Sequence, residues 1–223
     1  MDKRPEPRLP VDLPVRIWGM DADGRAFFQT ATANNLSSEG IMISQINHML
    51  KPGDVVGVQY GDKKARFNVV WVADAGLERK IEAGLCLRDD QEIPWPELAT
   101  PRPVLESTGR KNKRRFERHK ILFPLEISFD DSARSHLNAS ATDIAGRGCY
   151  VQIMVPLPIG TKVRVKFWMG SEKIETSGVV RASDPGVGMG IEFTDLDSKI
   201  QYRLQAHLDK LNEGLANQES PKQ

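Results

Sequence analysis

Apolar and polar residues alternate in short runs along most of the chain, with turn residues between the runs. In Val11–Trp18 the apolar side chains fall on every second position, and the turn residues Asp23 and Gly24 follow. Further strands predicted in the first half, separated by turn residues, are Phe27–Ala33, Gly40–Ser44, Val55–Tyr60, Arg66–Val72 and Glu82–Leu87. About six short strands at even spacing predict a small antiparallel β-barrel, closed or half open.

The second half of the chain repeats this pattern. Its runs are Ile121–Ile127, Leu137–Thr142, Cys149–Ile153, Val163–Phe167, Thr176–Ala182 and Gly188–Phe193. Ala31–Ile43 can be laid over Ala139–Val151 without a gap. A repeat of roughly 110 residues indicates two duplicated domains, because the units of solenoid proteins are far shorter. The predicted fold class is mainly β, with two tandem small antiparallel β-barrels.

Residues 195–215 have a helical periodicity instead. Apolar residues recur at intervals of four, four and three: Ile200, Leu204, Leu208 and Leu211. This stripe predicts an amphipathic α-helix, with Asp195 or Asp197 as its N-terminal cap. We expect the helix to pack across an open end of the second barrel. A helix that forms a homodimer is the alternative.

Changes in composition suggest where the domains end. The first barrel is predicted over residues 1–90, the second barrel with its helix over 113–215, and a disordered polar tail over 216–223. Residues 91–112 form a linker that is rich in proline and ends in basic residues, a composition that favours extended backbone. Within this linker, Trp95 and Leu98 are expected to dock on the first barrel.

Composition and charge exclude several classes of protein. The 223 residues include 31 Lys and Arg against 30 Asp and Glu, and this balance implies no general attraction to nucleic acid or membrane. Two cysteines, Cys86 and Cys149, provide neither a disulfide framework nor a metal-ligand spacing. Because no apolar run approaches the ~18 residues of a membrane span and the N-terminus has no apolar signal region, we expect a cytoplasmic protein.

Polar residues recur at matching places in both halves. Each half has two arginines four positions apart, followed by a loop with a short polar residue and a glycine: Arg4, Arg8, Asn35, Ser37 and Gly40, and Arg114, Arg118, Asp143, Ala145 and Gly148. A guanidinium offers a planar fork of donors for phosphate and a flat face for a purine. Glycine lets backbone approach a ligand closely. This set suits a ligand with several phosphates and hydrogen-bonding bases. Neither half pairs a nucleophile with a base, so we do not expect an enzyme.

The arginine pair, the (D/N)xSxxG loop and the closing Gly188–Phe193 strand occur in this order, and together they resemble the PilZ family of cyclic di-GMP receptors. The Arg114–Ile127 stretch is also typical of that family. The resemblance implies split β-barrels that bind cyclic di-GMP as a ligand, with no cofactor. It implies that Arg114 and Arg118 grip phosphates and stack on guanine. Asp143 would accept a hydrogen bond from a guanine edge, and Gly148 would keep the loop open.

Each half departs from the family pattern in a different way. The family's serine is Ala145 in the second half, and losing one hydroxyl hydrogen bond costs about 0.5–1.5 kcal/mol, up to roughly tenfold in affinity. Arg115 and Arg147 are candidates for substitute contacts. The first half keeps the motif but has two prolines between its arginines, and its closing strand Ala83–Leu87 lacks the acidic and aromatic residues of the family. At least one working site is expected, and either barrel is a candidate.

The favoured interpretation is a bacterial-type signal-transduction receptor. It would couple cyclic di-GMP binding to domain rearrangement and to an unidentified protein partner, in motility, pilus or exopolysaccharide control. The alternative is a degenerate PilZ pair that binds no nucleotide and acts as a protein-interaction scaffold. A nucleic-acid-binding role for the basic run Arg110–Arg118 is a third option, which the balanced net charge does not favour.

Overall fold

The protein is described here by a computed structural model that covers residues 8–74, 80–89, 91–98, 116–129 and 136–218. These residues form twelve β-strands and one α-helix. The chain divides into two compact units. Each unit contains one closed barrel, so the closed form of the predicted fold is the correct one.

The first barrel has six antiparallel strands: β1 Leu9–Met20, β2 Ala26–Leu36, β3 Gly40–Ile46, β4 Val55–Tyr60, β5 Lys63–Asp74 and β6 Ile81–Leu87. Their order around the barrel is β1-β2-β3-β6-β5-β4, and β4 pairs with β1 to close it. Alternate side chains such as Val15 and Ile17 point into the core, as the period of two in a strand requires. Trp95 belongs to this core and Leu98 packs against it, so part of the predicted linker lies on the first barrel.

The second barrel also has six antiparallel strands: β7 Phe123–Ser128, β8 His136–Ala145, β9 Gly148–Gln152, β10 Lys162–Met169, β11 Glu172–Asp184 and β12 Gly188–Phe193. Their order is β7-β8-β9-β12-β11-β10, and β10 pairs with β7 to close the barrel. Strand for strand this is the order of the first barrel. The prediction of two tandem barrels is confirmed.

The first strand of each barrel begins at a different place from the one predicted. β1 begins at Leu9, two residues before the predicted start, because Leu9 and Pro10 pair with β2 ahead of a register shift. β7 begins at Phe123 rather than at Ile121, although the side chain of Ile121 is buried in the second core. The residues just before β7 pair with β8 only through one isolated bridge, at His119.

The helix α1 spans Ser198–Gln218 and follows the second barrel. Asp197 caps it, since the Lys199 N–H donates to Asp197 Oδ1 at 2.7 Å. Leu204 and Leu208 are fully buried in the core of the second barrel, which confirms the predicted packing. The helix continues three residues into the tail that was predicted to be disordered, because no proline interrupts the sequence before Pro221. No helix among the described residues combines the length and apolar character needed to cross a membrane.

Truncating a buried leucine of α1 tests this packing. Leu208→Ala should lower the free energy of unfolding by about 2–5 kcal/mol, because it leaves a cavity in the second core. Leu211→Ala is the matched control; its side chain is 38% exposed, so a loss of less than about 1 kcal/mol is expected. Urea unfolding followed by circular dichroism measures both. Equal losses in the two variants would contradict the packing of α1 on the barrel.

Candidate ligand-binding site

A short segment ahead of β7, residues 116–122, holds one arginine of the second pair beside β8; we call it the leading segment. The His119 N–H donates to the carbonyl of Ile144 at 2.9 Å, and the Ile144 N–H donates to the carbonyl of His119 at 3.0 Å. In an antiparallel pair, the next residues outward are also opposite each other. Arg118 therefore stands opposite Ala145, the position of the motif serine.

The first barrel has the same arrangement. Leu9 is paired with Leu36 in the register of β1 and β2. The next position outward places Arg8 opposite Ser37. Both barrels thus bring the second arginine of the pair to the third residue of the loop motif. The repeat in the sequence corresponds to an equivalent pairing of residues in space.

The motif residues of the second barrel lie on the side of β8 and β9 away from the core, where Asp143 and Ala145 are nevertheless buried. Ile144 and Cys149 lie in the core, so the alternation of a strand turns their neighbours to the outer surface. Ala145 pairs with Gly148, and Gly148 pairs with Glu192 of β12. Across adjacent strands these positions form a row that begins with Arg118 and ends with Glu192. In the middle of the row, an alanine and a glycine leave a floor without long side chains.

The motif glycine has a structural cause in both barrels. A Cβ atom at Gly148 would lie 2.4 Å from the carbonyl oxygen of Ile191, and one at Gly40 would lie 2.7 Å from that of Leu85. Real Cβ atoms do not approach backbone that closely, so any side chain would push the neighbouring strand away. Gly148 and Gly40 are therefore required for close pairing of these strands, whether or not a ligand binds.

Asp143 lies one row further along β8, opposite Tyr150. The side chain of Asp143 is buried, although it lies on the side of β8 away from the core. Its Oδ2 accepts a hydrogen bond from the Thr142 hydroxyl at 3.1 Å. The ring of Tyr150 lies over β12, where a Cβ atom at Gly188 would come within 2.6 Å of it. The first glycine of the closing Gly-Met-Gly sequence, Gly188, thus makes room for the tyrosine that flanks Asp143.

A side chain of α1 holds the leading segment to the β8–β9 turn. Gln205 Oε1 accepts from the Gly146 N–H at 3.0 Å, and Gln205 Nε2 donates to the carbonyl of Glu117 at 3.1 Å. Asp209 lies one turn further along the helix, and its Oδ1 is 2.6 Å from His119 Nε2. The residues on both sides of Arg118 are thereby fixed to the helix. The position of this arginine follows from α1 as well as from β8.

Phe116 anchors the start of the leading segment. Its side chain is buried, and its ring meets that of Tyr202 edge to face at a centroid distance of 5.2 Å. A Cβ atom at Gly146 would lie 3.2 Å from the Phe116 ring, so the β8–β9 turn packs tightly here. The residue that directly follows Arg114 and Arg115 in the sequence is therefore held against α1.

Two arginines border the far end of the row. Arg147 occupies the turn between β8 and β9, and its Nη2 donates to Glu192 Oε1 at 3.4 Å. Arg181 of β11 donates from Nε to the other carboxylate oxygen at 2.7 Å. Glu192 therefore holds two guanidinium groups at once. Together with Arg118, three arginines and one glutamate surround the small floor.

The corresponding surface of the first barrel has different chemistry. The Ser37 hydroxyl donates to the carbonyl of Gly40 at 3.3 Å, a bond within the loop itself. Asn35 Nδ2 donates to the sulfur of Met42 at 3.5 Å, a weak contact. By the pairing of the strands, Glu39 stands where the second barrel has Arg147, and Cys86 stands where it has Glu192. The charges of Arg8 and Glu39 oppose each other on this surface.

The structure brings together Arg118, Asp143, Ala145 and Gly148 in the second barrel, and Arg8, Asn35, Ser37 and Gly40 in the first. Arg4, Arg114 and Arg115 lie outside the described residues. The sequence did not single out Gln205, Glu192, Arg181 or Tyr150, because each acts across strands or helix turns that are distant in the chain. Only Glu192 had a signal in the sequence, as the acidic residue of the glycine-rich closing strand. Among the described residues, no group of three His, Cys, Asp or Glu side chains could hold a metal ion.

Comparisons with known proteins found one family model and several similar solved structures. Residues 112–210 match the family model described as PilZ domain. A comparison with curated proteins found no match. One similar solved structure is MotI/DgrA, an inhibitor of motility from Bacillus subtilis, with 15% identity and a TM-score of 0.41 over 90% of this chain and 96% of that chain. A second is YcgR from Escherichia coli in complex with c-di-GMP, with 10% identity and a TM-score of 0.43 over 92% of this chain and 86% of that chain. A third is the MrkH–c-di-GMP complex from K. pneumonia, with 13% identity and a TM-score of 0.45 over 92% of this chain and 90% of that chain. With TM-scores below 0.5, these likenesses do not establish the ligand of this chain.

The second barrel matches the PilZ-domain family, and the leading segment, the β8–β9 loop and the closing strand β12 all lie within the matched residues. Domains of this family are receptors for a nucleotide signal and not enzymes. The predicted recognition is confirmed for this half of the chain.

The cysteine behind the motif glycine is sealed inside the barrel. Cys149 is 4% exposed and lies in the second core. Burial raises the pKa of the Cys149 thiol to about 12; Arg118 lowers this pKa by a smaller amount and Asp143 raises it slightly further. Cys86 of the first barrel is exposed. Because the thiolate is the reactive form, the two cysteines should react very differently.

Thiol labelling tests whether the barrel is closed behind the site. At about pH 8 the folded chain should react with one equivalent of a thiol reagent, and with two after unfolding in guanidinium. Cys86→Ser should remove the reaction of the folded protein, and a rise of one pH unit should not restore it. Rapid labelling of Cys149 in the folded Cys86→Ser variant would contradict a closed second barrel.

Proposed function

We propose that this protein is a cyclic di-GMP receptor and that the ligand binds on the outer surface of the second barrel. The observation that carries the proposal is the pairing of the leading segment with β8. This pairing brings Arg118 next to the motif positions Asp143, Ala145 and Gly148 in a region that matches the PilZ domain. A guanidinium at the edge of a small-residue floor suits a phosphate diester, and a carboxylate nearby suits a base edge.

Charge favours the second barrel over the first. Three arginines and two carboxylates, those of Glu192 and Asp143, surround the floor of the second barrel, so a dianionic ligand still meets a net positive surface there. On the first barrel, Glu39 lies in the turn beside Ser37 and offsets Arg8. A negative side chain this close to a phosphate costs affinity, because like charges repel and water screens them only in part. We therefore place the principal site on the second barrel, although its motif lacks the serine.

The missing hydroxyl at Ala145 weakens this site without removing it. In the first barrel, the equivalent hydroxyl of Ser37 bonds to the loop carbonyl of Gly40. Part of the serine's role is therefore to hold the loop. In the second barrel the loop is held instead by the bond from the Gly146 N–H to Gln205. The loop geometry needed for binding is supported by α1.

Isothermal titration calorimetry of cyclic di-GMP into the full chain tests the proposal. Saturable binding is expected, and Arg118→Ala should weaken it at least tenfold, since a hydrogen bond to a charged group contributes about 1.5–3 kcal/mol. Arg8→Ala is the matched control on the first barrel and should change the affinity little. Loss of binding in Arg8→Ala alone would move the site to the first barrel. The absence of binding to the intact, folded chain would refute the receptor and favour the protein-interaction scaffold.

We further propose that binding is coupled to domain arrangement and to a protein partner. The leading segment is fixed to α1 from Phe116 onward, so a ligand that also engages Arg114 would extend this fixed region toward residues 91–112. Ligand affinity and domain arrangement would then be linked reciprocally. The partner would recognise the liganded arrangement.

Small-angle scattering of the full chain tests the coupling. Saturating cyclic di-GMP should change the radius of gyration of the wild type, because the ligand favours one of the arrangements over the others. The Arg118→Ala variant should not respond at the same ligand concentration. If a wild-type protein that binds in the calorimeter gives identical scattering curves with and without ligand, the coupling is wrong and the receptor stands.

A further inference from the structure

Glu192 divides its carboxylate between two guanidinium groups on the outside of the second barrel. Its Oε1 is 3.4 Å from Arg147 Nη2, and its Oε2 is 2.7 Å from Arg181 Nε. The arginine side chains are 54% and 61% exposed, and that of Glu192 is 35% exposed. Ion pairs this exposed contribute little net stability, since water solvates the separated charges almost as well. The cluster is therefore not required to hold the barrel together.

Arg147 borders the same floor as Arg118. It lies in the turn of two residues that joins the paired positions Ala145 and Gly148. In the chain it is two residues from Ala145, where the motif hydroxyl is missing. Glu192 pairs with Gly148 on the adjacent strand. The carboxylate that binds Arg147 thus lies at the end of the row whose other end is Arg118.

We propose that Glu192 acts as an internal competitor for the ligand and that Arg147 replaces the missing hydroxyl. A phosphate of cyclic di-GMP would take Arg147 from Glu192 when it binds on the floor. This inference rests on the proposed function and assigns an affinity-determining residue to the same site. Arg181 would keep its bond to Glu192 in the liganded state.

The exchange is chemically balanced. A phosphate diester accepts the paired hydrogen bonds of a guanidinium as a carboxylate does. Glu192 would retain Arg181 and otherwise turn to water, so no charge would be left buried without a partner. The pair also keeps Arg147 near the floor before ligand arrives, which reduces the entropy lost on binding. The cost is competition, because Glu192 must be displaced.

The two barrels differ in a reciprocal way that agrees with this role. The first barrel has the hydroxyl of Ser37 and places the acidic Glu39 in the turn, with Cys86 on the closing strand. The second barrel lacks the hydroxyl and places Arg147 in the turn, with Glu192 on the closing strand. A turn arginine and its acidic partner occur together where the hydroxyl is absent. The first barrel, which has the hydroxyl, has neither the turn arginine nor the acidic residue on the closing strand.

A double-mutant cycle measured by calorimetry with cyclic di-GMP tests the proposal on the full chain. Arg147→Gln should weaken binding about tenfold, because it removes a charge-assisted contact to phosphate. Glu192→Gln should tighten binding about threefold, because it removes the competitor. The double variant should bind like Arg147→Gln alone, since the benefit of removing Glu192 acts through Arg147. Arg147→Lys, which keeps the charge but loses the planar fork, should fall in between.

A second ion pair of the same barrel supplies the matched control. Arg164 and Glu175 pair at 3.8 Å on β10 and β11, with side chains 60% and 47% exposed. Arg164→Gln and Glu175→Gln make the same chemical changes away from β8 and β9. They should leave the affinity unchanged. Thermal unfolding by circular dichroism of every variant checks that the barrel is intact.

The outcomes separate this inference from the proposed function. If Arg118→Ala loses binding while Arg147→Gln binds like the wild type, the receptor stands and the role of Arg147 is refuted. If Glu192→Gln weakens binding instead, Glu192 positions Arg147 and does not compete with the ligand. If the control variants change affinity as much as Arg147→Gln and Glu192→Gln do, the effects come from overall charge. If the wild type binds no cyclic di-GMP, both proposals fail.

Discussion

The candidate site depends on two backbone hydrogen bonds between His119 and Ile144. They attach the leading segment to β8 at a point where the regular strand has not yet begun, and they determine which residue of β8 faces Arg118. Gln205 and Asp209 of α1 hold the same segment from the other side. A single bridge between strands is weak by itself. Its position is secured because α1 is in turn held by leucines buried in the barrel core.

The motif glycines show that one short sequence can specify both the fold and a surface. Gly148 and Gly40 permit strands to pair closely, because any Cβ atom would collide with backbone. The same absence of side chains leaves the row between Arg118 and Glu192 without a long side chain. The glycine would thus be retained in a barrel that had lost its ligand. Its presence in the first barrel is therefore no argument for binding there, and the side chains around it have to be compared instead.

Short runs of strand-forming residues bounded by turn residues were sufficient to predict every strand, with clear alternation in strands such as β1. The repeat then predicted two barrels, and the intervals between leucines predicted α1. The pairing of Arg118 with Ala145 was not predictable, since it depends on a bridge outside the regular strands. The contacts of Gln205 and the shared carboxylate of Glu192 also could not be read from the sequence. They join elements that are adjacent only after the barrel closes, and no local periodicity records them.

The difference between the two barrels is better explained by charge than by completeness of the motif. A hydroxyl donates one hydrogen bond, is uncharged, and acts only at contact distance. An arginine adds a donor fork and a charge that attracts a dianion before contact, over about 8–10 Å at physiological salt. On the first barrel, the charge of Glu39 works against that of Arg8. The second barrel exchanges a hydroxyl for Arg147 and restrains that arginine with Glu192. The barrel with the incomplete motif thus has the surface better suited to an anionic ligand.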